Sequence, residues 1–296
     1  IIIYILFILT LLYLFFYNNI ILYEYLSFCT LFFFLGLMDD FKINVKPKFR
    51  LLIMIFFLVA LVTLNEFYVK TTGFEFLNNL LEIDIFAVFF VCLCFLFIIN
   101  GANLIDGFNG LLSIHALIIL TILLIINITH QNYEISNLLF FVILVIAIFL
   151  KFNFPKAQLF LGDSGAYLIG ALIGITVIKT SILEPSISPL FFCILLFYLF
   201  FEVFFSFFRK ILFAKQSPLL PDNNHLHMLL YRFLIKKKYS KLKSNYTVSI
   251  YINLMFFLSI LPAIVFMEYG LFCRYYFFLL LIIYVYFYKK LYKKAF

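Results

Sequence analysis

Long, nearly continuous apolar runs dominate the sequence, and short polar segments separate them. Because hydrophobic and polar residues do not alternate within a run, the runs predict helices rather than barrel strands. Ten runs approach the roughly 20 residues that a helix needs to cross a bilayer. The predicted spans cover residues 1–17, 20–38, 50–69, 85–102, 111–128, 137–151, 164–181, 189–208, 247–267 and 271–288. The pattern therefore predicts an all-α, polytopic membrane protein with one transmembrane domain over residues 1–296.

Composition agrees with this prediction. Hydrophobic residues make up 66% of the chain, charged residues only 12%, and the mean hydropathy is +1.15. A chain of this kind has too little polar side-chain surface to cover a water-soluble globule. The composition therefore excludes a soluble globular protein.

The distribution of lysine and arginine predicts the orientation. If residue 1 lies in the cytoplasm, 19 of the 22 basic residues fall in inner segments, the longest of which is 209–246. The positive-inside rule favours this topology, so the net charge of +8 requires no nucleic-acid partner. A basic inner face also suits anionic lipid headgroups and phosphorylated substrates.

Aspartates collect at the same inner face, whereas most acidic residues of the outer face are glutamates. Carboxylates at a membrane surface are costly to desolvate, so several on one face suggest a cation, a phosphorylated substrate with its cation, or a proton path. Glu202 is the one glutamate on the inner side. The inner aspartates are Asp39, Asp40, Asp106, Asp163 and Asp222.

Two polar motifs follow apolar runs. In "LGLMDDFK", Asp39 and Asp40 are adjacent, and such carboxylates repel each other unless a cation neutralises them. In "NGANLIDGFNGL", Asn100, Asn103 and Asp106 are three residues apart and fall near one helix face. Their oxygens suit Mg²⁺, while a polar helix end capped by glycine is the simpler alternative.

Two further motifs lie later in the chain. "NFPKAQLFLGDSGAYLIG" places Asp163 at the start of a span, as an N-cap or beside a phosphate at the helix N-terminus. Within that span, Ala166, Gly170 and Gly174 form a small-residue stripe that lets another helix pack closely. "SPLLPDNNHLHMLLYRF" carries His225 and His227 without a nearby Cys or third His, which favours substrate contacts over zinc.

In order and spacing, these four motifs resemble the cytoplasmic motifs of the polyprenyl-phosphate N-acetylhexosaminyl-1-phosphate transferases, which are of the glycosyltransferase family 4 type. The family includes undecaprenyl-phosphate GlcNAc-1-phosphate transferases of O-antigen and teichoic-acid synthesis and, more distantly, phospho-N-acetylmuramoyl-pentapeptide transferase. The resemblance runs through nearly the whole chain and implies a multi-pass protein of the bacterial inner (plasma) membrane with a cytoplasmic active site.

The resemblance also implies a reaction. A polyprenyl phosphate oxygen attacks the β-phosphorus of a UDP-N-acetylhexosamine, UDP-GlcNAc being the favoured donor, and UMP leaves. The reaction requires Mg²⁺, with Mn²⁺ as an alternative ion, and its product initiates a lipid-linked envelope glycan such as the O-antigen of lipopolysaccharide. The expected partners are the UDP-sugar, undecaprenyl or another polyprenyl phosphate, and membrane lipids; whether the chain forms a homodimer stays open.

The motifs carry roles over residue by residue. Asp163 and Asn103 would hold the metal ion, Asp39 would activate the lipid phosphate, Asp40 would support Asp39, and Asp106 would line the same pocket. The residues expected to contact substrate are Asn109, Asn153 and Phe160 at the uridine, His225 and His227 at the diphosphate or sugar, and Lys46 and Lys48 at phosphate.

The sequence departs from the family pattern at three positions and at its start. The family commonly has Asp where Asn109 stands, and in the fourth motif Asn223 replaces an Arg and Met228 replaces the last His. The change at Asn109 bears on nucleotide contacts, whereas the two changes in the fourth motif leave the donor hexosamine open. The family's first span and the loop after it have no counterpart, so we expect the natural chain to begin upstream.

Two alternatives remain at this stage. An ion-coupled secondary transporter would also use inner carboxylates, but transporters place such groups near the bilayer midplane on broken helices. A catalytically impaired relative would retain the motifs yet lose turnover through Asn109, Asn223 and Met228.

Overall fold

The structure is a computed structural model that describes residues 1–18, 22–43, 46–215, 217 and 222–296. Over these residues it contains helices and no strand, which confirms the predicted all-α class. The helices are α1 (Ile2–Asn18), α2 (Tyr23–Asp40), α3 (Pro47–Leu64), α4 (Glu75–Leu81), α5 (Asp84–Ile105), α6 (Leu111–Thr129), α7 (Tyr133–Asn153), α8 (Gly162–Leu183), α9 (Pro189–Leu195), α10 (Phe197–Arg209), α11 (Leu226–Lys236), α12 (Lys241–Val265) and α13 (Gly270–Ala295). A π-helical segment, Lys210–Ala214, continues α10.

The chain is a multi-pass membrane protein. Within the described residues, seven helices are long and apolar enough to cross a membrane: α3, α5, α6, α7, α8, α12 and α13. The pair α9 and α10, bent by 77°, becomes an eighth if it counts as one span. Each of the ten predicted spans coincides with a helix or with this pair, but α1 is short and α2 carries three acidic residues, so spanning by these two stays a prediction.

Helix α8 forms the centre of the bundle. Its most apolar stretch is 78% buried, compared with 17% for α13 at the periphery. The predicted small-residue stripe explains one of its contacts: a Cβ added at Gly170 would lie 2.8 Å from the Ile99 Cα of α5. On the side of α2, a Cβ at Gly36 would collide with the backbone of Asp163. Small residues thus allow α2 and α5 to approach α8 closely.

The structure corrects the predicted eighth span, residues 189–208. It is not one straight helix, because α9 ends at Leu195 and α10 begins at Phe197 after a sharp bend. The predicted inner segment 209–246 also contains α11, whose apolar side chains recur at helical spacing so that Leu229 and Leu234 are buried. A short helix, α4, adds an unpredicted element between α3 and α5.

Candidate active site

The site lies at the end of the bundle where α2 and α5 end and α8 begins. Asp40, the last residue of α2, accepts hydrogen bonds from the backbone N–H groups of Asp163 (2.8 Å) and Ser164 (3.1 Å). These amides at a helix N-terminus have no partner within their own helix. Asp40 therefore caps α8 from a different helix. Its carboxylate binds the backbone amides that the sequence predicted as one possible phosphate site.

Gly162 makes room for this cap. Its φ of +68° is a conformation that L-residues with a Cβ rarely adopt, and a Cβ there would lie 2.8 Å from both Asp40 carboxylate oxygens. The N-cap position of α8 is Leu161, so the simple N-cap interpretation of Asp163 is wrong. The Asp163 side chain is therefore not used to cap α8.

The Asp163 side chain instead contacts Asn103 of α5. Its amide Nδ2 donates to Asp163 Oδ1 at 2.7 Å, which joins the second and third motifs. Asp106, directly after α5, is close enough that burial, followed by the charges of Asp163 and Asp40, holds its carboxyl pKa well above the ordinary value. The structure therefore gathers these aspartates and Asn103 around one point, as the sequence predicted.

Asp39 has a partner that sequence reasoning did not assign. Arg50, in the first turns of α3, donates from Nη1 to Asp39 Oδ2 at 2.5 Å, and both side chains are partly buried. Arg50 is the last basic residue in the cluster after the Asp pair, and that position was the only signal for it. Lys46 and Lys48 precede it on exposed positions, where they are open to solvent-borne phosphate.

Asn109 and Asn153 both take part in the loop that follows α5. The Asn109 side chain donates to the carbonyl of Pro155 (2.9 Å), and its backbone N–H donates to Asn245 (2.9 Å). The buried Asn153 accepts from the backbone of Gly110 (2.6 Å) and donates to the carbonyl of Leu159 (2.7 Å). Both side chains thus brace the site, and their predicted contacts with uridine stay predictions. Phe160, by contrast, is 78% exposed and free to stack on a base.

The histidine motif is buried against the bundle. His225 is 4% exposed and His227 is fully buried, so neither side chain extends into open solvent. The Phe108 ring, from the loop after α5, meets the His227 ring edge to face with 5.7 Å between centroids. The second and fourth motifs therefore touch through the Phe108 and His227 rings.

Asp222 fixes the loop before the histidines. It accepts from Ser206 at 2.9 Å and pairs with Arg209 of α10. Burial alone would raise its carboxyl pKa, but the Ser206 hydrogen bond and the Arg209 charge hold the pKa below the ordinary value. Asn223, one of the departures from the family pattern, is exposed beside it.

The donor atoms fit a hard divalent cation. Mg²⁺ is usually bound by one or two carboxylates together with water and substrate phosphates, not by an all-protein cage. Asp163, the amide oxygen of Asn103 and the nearby Asp106 supply oxygen ligands of this kind. Among the described residues no group of three or more His, Cys, Asp or Glu side chains forms a metal cluster.

An all-helical membrane protein with paired carboxylates and amides at its helix ends is the class that fold and site define. Residues 22–181, more than half of the chain, match the family described as glycosyl transferase family 4. The chain belongs to this family. The matched residues include the first three motifs and end before His225.

Individual relatives are similar over shorter stretches. The chain is 30% identical to the phospho-N-acetylmuramoyl-pentapeptide-transferase of Clostridium beijerinckii over 52% of this chain and 49% of the relative. It is 32% identical to the undecaprenyl-phosphate alpha-N-acetylglucosaminyl 1-phosphate transferase of Thermotoga maritima (53% and 49%). It is 28% identical to a probable undecaprenyl-phosphate N-acetylglucosaminyl 1-phosphate transferase of Bacillus subtilis (70% and 58%). The matches thus span about half the length of these relatives.

Proposed function

We propose that the protein transfers N-acetylhexosamine-1-phosphate from a UDP-sugar to undecaprenyl or another polyprenyl phosphate. The observation that carries this proposal is the hydrogen bond from Asn103 to Asp163 beside Asp39, Asp40 and Asp106. Relatives named as transferases of this kind, from three bacteria, support the substrate class. UDP-GlcNAc is the proposed donor, and the product would initiate a lipid-linked envelope glycan, for which the O-antigen of lipopolysaccharide is one candidate.

In the proposed reaction, an acceptor phosphate oxygen forms a bond to the β-phosphorus of the UDP-sugar. The bond between that phosphorus and the bridging oxygen breaks, and UMP leaves with the electron pair. Both reactants are anionic, and a magnesium or manganese ion, when bound, offsets the charge on the diphosphate. Asp163 and Asn103 are the residues proposed to hold this ion, with Asp106 beside them.

The chain's own groups are proposed to bind and orient the substrates. Asp39 would accept any remaining proton of the acceptor phosphate, and Arg50, Lys46 and Lys48 would attract that phosphate by charge. Asp40 acts through the backbone, because it fixes the start of α8 and therefore the position of Asp163. The exposed ring of Phe160 is the proposed stacking surface for uracil.

The proposed location is the bacterial inner membrane with the site facing the cytoplasm. The bias of lysine and arginine toward one set of loops supports this orientation. Nucleotide sugars occur in the cytoplasm, so a cytoplasmic site would meet its donor directly. A cysteine introduced at exposed Lys48 should react with an impermeant maleimide only in inside-out vesicles.

The decisive test is UMP release by the full-length protein with undecaprenyl phosphate, Mg²⁺ and a panel of UDP-hexosamines. We expect release that needs both the lipid and the metal ion and that stops with EDTA. No release with any donor would contradict the proposed function. If release is slow, restoring the family residue by Asn109→Asp should raise it in an impaired relative.

An ion-coupled transporter is the second candidate. The bend between α9 and α10 resembles the broken helices of transporters. The bend lies at Leu196, however, among apolar neighbours, whereas the aspartates Asp39, Asp40 and Asp163 lie at the ends of other helices. Ion-driven sugar uptake into vesicles, without UMP release, would favour this candidate over the transferase.

A further inference from the structure

Helix α10 contacts both histidines of the fourth motif. Tyr198 and Glu202 are four residues apart and so lie on the same face of the helix. The Tyr198 hydroxyl lies 3.1 Å from His227 Nδ1, and Glu202 Oε2 lies 3.1 Å from His225 Nδ1. The two imidazole rings are nearly parallel, with 5.5 Å between their centroids. One helix face thus holds the same ring nitrogen of each histidine.

Glu202 is committed to this arrangement. Its side chain is 1% exposed, and it also accepts from the backbone N–H of Leu226 (3.2 Å) and from the Tyr284 hydroxyl (2.7 Å). A buried carboxylate is tolerated only when such donors satisfy it. Because an ionised carboxylate can only accept, His225 must carry a proton on Nδ1. The glutamate therefore fixes the orientation of His225 and the start of α11 together.

The opposite ring nitrogens remain available. His225 Nε2 lies 3.8 Å from Asp222 Oδ2, which is beyond hydrogen-bond distance. His227 Nε2 is buried and has no hydrogen-bond partner within the part of the chain that the structure describes. Buried polar atoms nearly always have a partner, so an orphan of this kind calls for a ligand or water. Burial also lowers the pKa of His227 to about 4, which leaves its imidazole neutral near pH 7.

The same helix is locked to the metal-binding motif. A Cβ at Gly101 of α5 would collide with the carbonyl of Leu199, the residue after Tyr198, so the two backbones touch. Gly101 lies two residues before Asn103. Helix α10 is therefore a common frame for the second motif, through Gly101, and for the fourth, through the histidines.

We propose that Tyr198 and Glu202 are positioning residues that hold the two histidines by Nδ1 and reserve their Nε2 atoms for the donor. His227, which accepts from the Tyr198 hydroxyl at Nδ1, donates from Nε2 to the diphosphate, whereas His225, which donates to Glu202 from Nδ1, accepts from a sugar hydroxyl at Nε2. The ligand assignment rests on the proposed function; the hold on the histidines does not. Neither residue belongs to the four sequence motifs. The signal for Glu202 was its position as a lone acid in an apolar run, and Tyr198 had none.

Two kinds of measurement test this proposal. The chain has only four histidines, so selective ¹⁵N-histidine labelling resolves their tautomers by NMR. We expect Glu202→Gln to change the Nδ1 signal of His225 and Tyr198→Phe to change that of His227. In UMP release, each variant should raise the KM for UDP-GlcNAc by about 10- to 100-fold with a smaller change in kcat, as losses of supporting contacts do.

Matched controls remove the same chemical groups elsewhere. Glu184→Gln alters another glutamate beside a histidine, His130. Tyr276→Phe removes a hydroxyl of α13 that donates to the backbone carbonyl of Ser259 in α12. Both should leave the KM and the signals of His225 and His227 unchanged. If Glu202→Gln does not fold, Tyr198→Phe carries the test, since it deletes one hydroxyl.

The outcomes separate the two claims. Unchanged histidine signals, or an unchanged KM per folded enzyme, would overturn the positioning role. If the wild-type protein releases no UMP from any UDP-hexosamine, the proposed function and the ligand assignment fail, while the NMR result still decides whether α10 holds the histidines.

Discussion

Asn103 and Asp163 are 60 residues apart in the chain, and a 2.7 Å hydrogen bond from the Asn103 amide to the Asp163 carboxylate joins α5 to α8. The bond orients the carboxylate before any ligand arrives, and it leaves the amide oxygen of Asn103 as a further ligand atom. Supporting contacts of this kind determine how tightly a metal is held. We therefore expect the proposed metal site to be sensitive to substitution of either residue.

We expect Asp163→Asn to reduce Mg²⁺-dependent UMP release by at least about 100-fold, because the metal's stabilisation of charge is worth several kcal/mol. The new amide can still accept from Asn103, so the variant should fold. Titrating Mg²⁺ in the UMP assay measures the effect. Asp84→Asn, at the exposed start of α5, is the control. Equal activity of both variants would rule out Asp163 as a metal ligand.

Because Asp40 caps α8 beside Gly162, we expect the effect of a Gly→Ala substitution on stability to depend strongly on its position. Gly162→Ala should lower the free energy of unfolding by about 1–2 kcal/mol, because the positive φ strains an L-residue and the added Cβ crowds the Asp40 carboxylate. Gly107→Ala is the matched control, since no described atom beyond its own chain neighbours lies within 4 Å of its added Cβ. Thermal unfolding in detergent gives both values; an equal loss for the two would contradict the cap.

Much of the fold follows from local pattern. Continuous apolar runs predicted the helices, and the spacing of Asn103 and Asp106 predicted that they share a wall, although Asp106 follows the end of α5 at Ile105. The bend at Leu196 could not be predicted, because no proline or glycine interrupts the apolar run around it. Helix α11 was not predicted, because the basic residues of segment 209–246 led to its interpretation as an inner loop.

The candidate site was predictable in its residue types and only partly in their roles. Asp40 is 123 residues from the amides it caps, and no local pattern encodes such a pairing. The contact of Asn153 with uridine stays a prediction, and its hydrogen bonds to Gly110 and Leu159 could not be predicted from local pattern. Arg50 and Glu202 were visible as charges, yet their partners emerge only when separate helices pack.

Arg50 and Lys48 give a contrast between a partly buried, paired cation and an exposed one. Arg50→Gln removes the partner of Asp39 and leaves that carboxylate unbalanced beside Asp40, so we expect a loss of activity of about 10-fold or more. Lys48→Gln removes an exposed charge, which contributes less because water and salt screen it. The KM for the polyprenyl phosphate in UMP release measures both. A larger effect at Lys48 would mean that the exposed lysine is the principal phosphate contact.

Acid should destabilise the protein through His227. Burial lowers the His227 pKa to about 4, an effect that the charge of Glu202 partly offsets and the neighbouring His225 increases. In the unfolded chain a histidine has a pKa of about 6.5. Between these values the unfolded chain binds a proton that the folded chain does not, so stability falls as the pH is lowered through this interval.

The substitution His227→Gln removes this pH-dependent contribution to stability. The variant should be less stable at pH 7, but its melting temperature should decline less steeply between pH 6.5 and about 4 than that of the wild type. Tyr276→Phe, which loses a hydrogen bond and no acid-range titration, should retain the wild-type slope. Parallel pH profiles for the wild type and His227→Gln would contradict this prediction, because they would show that the folded protein protonates His227 as readily as the unfolded chain does.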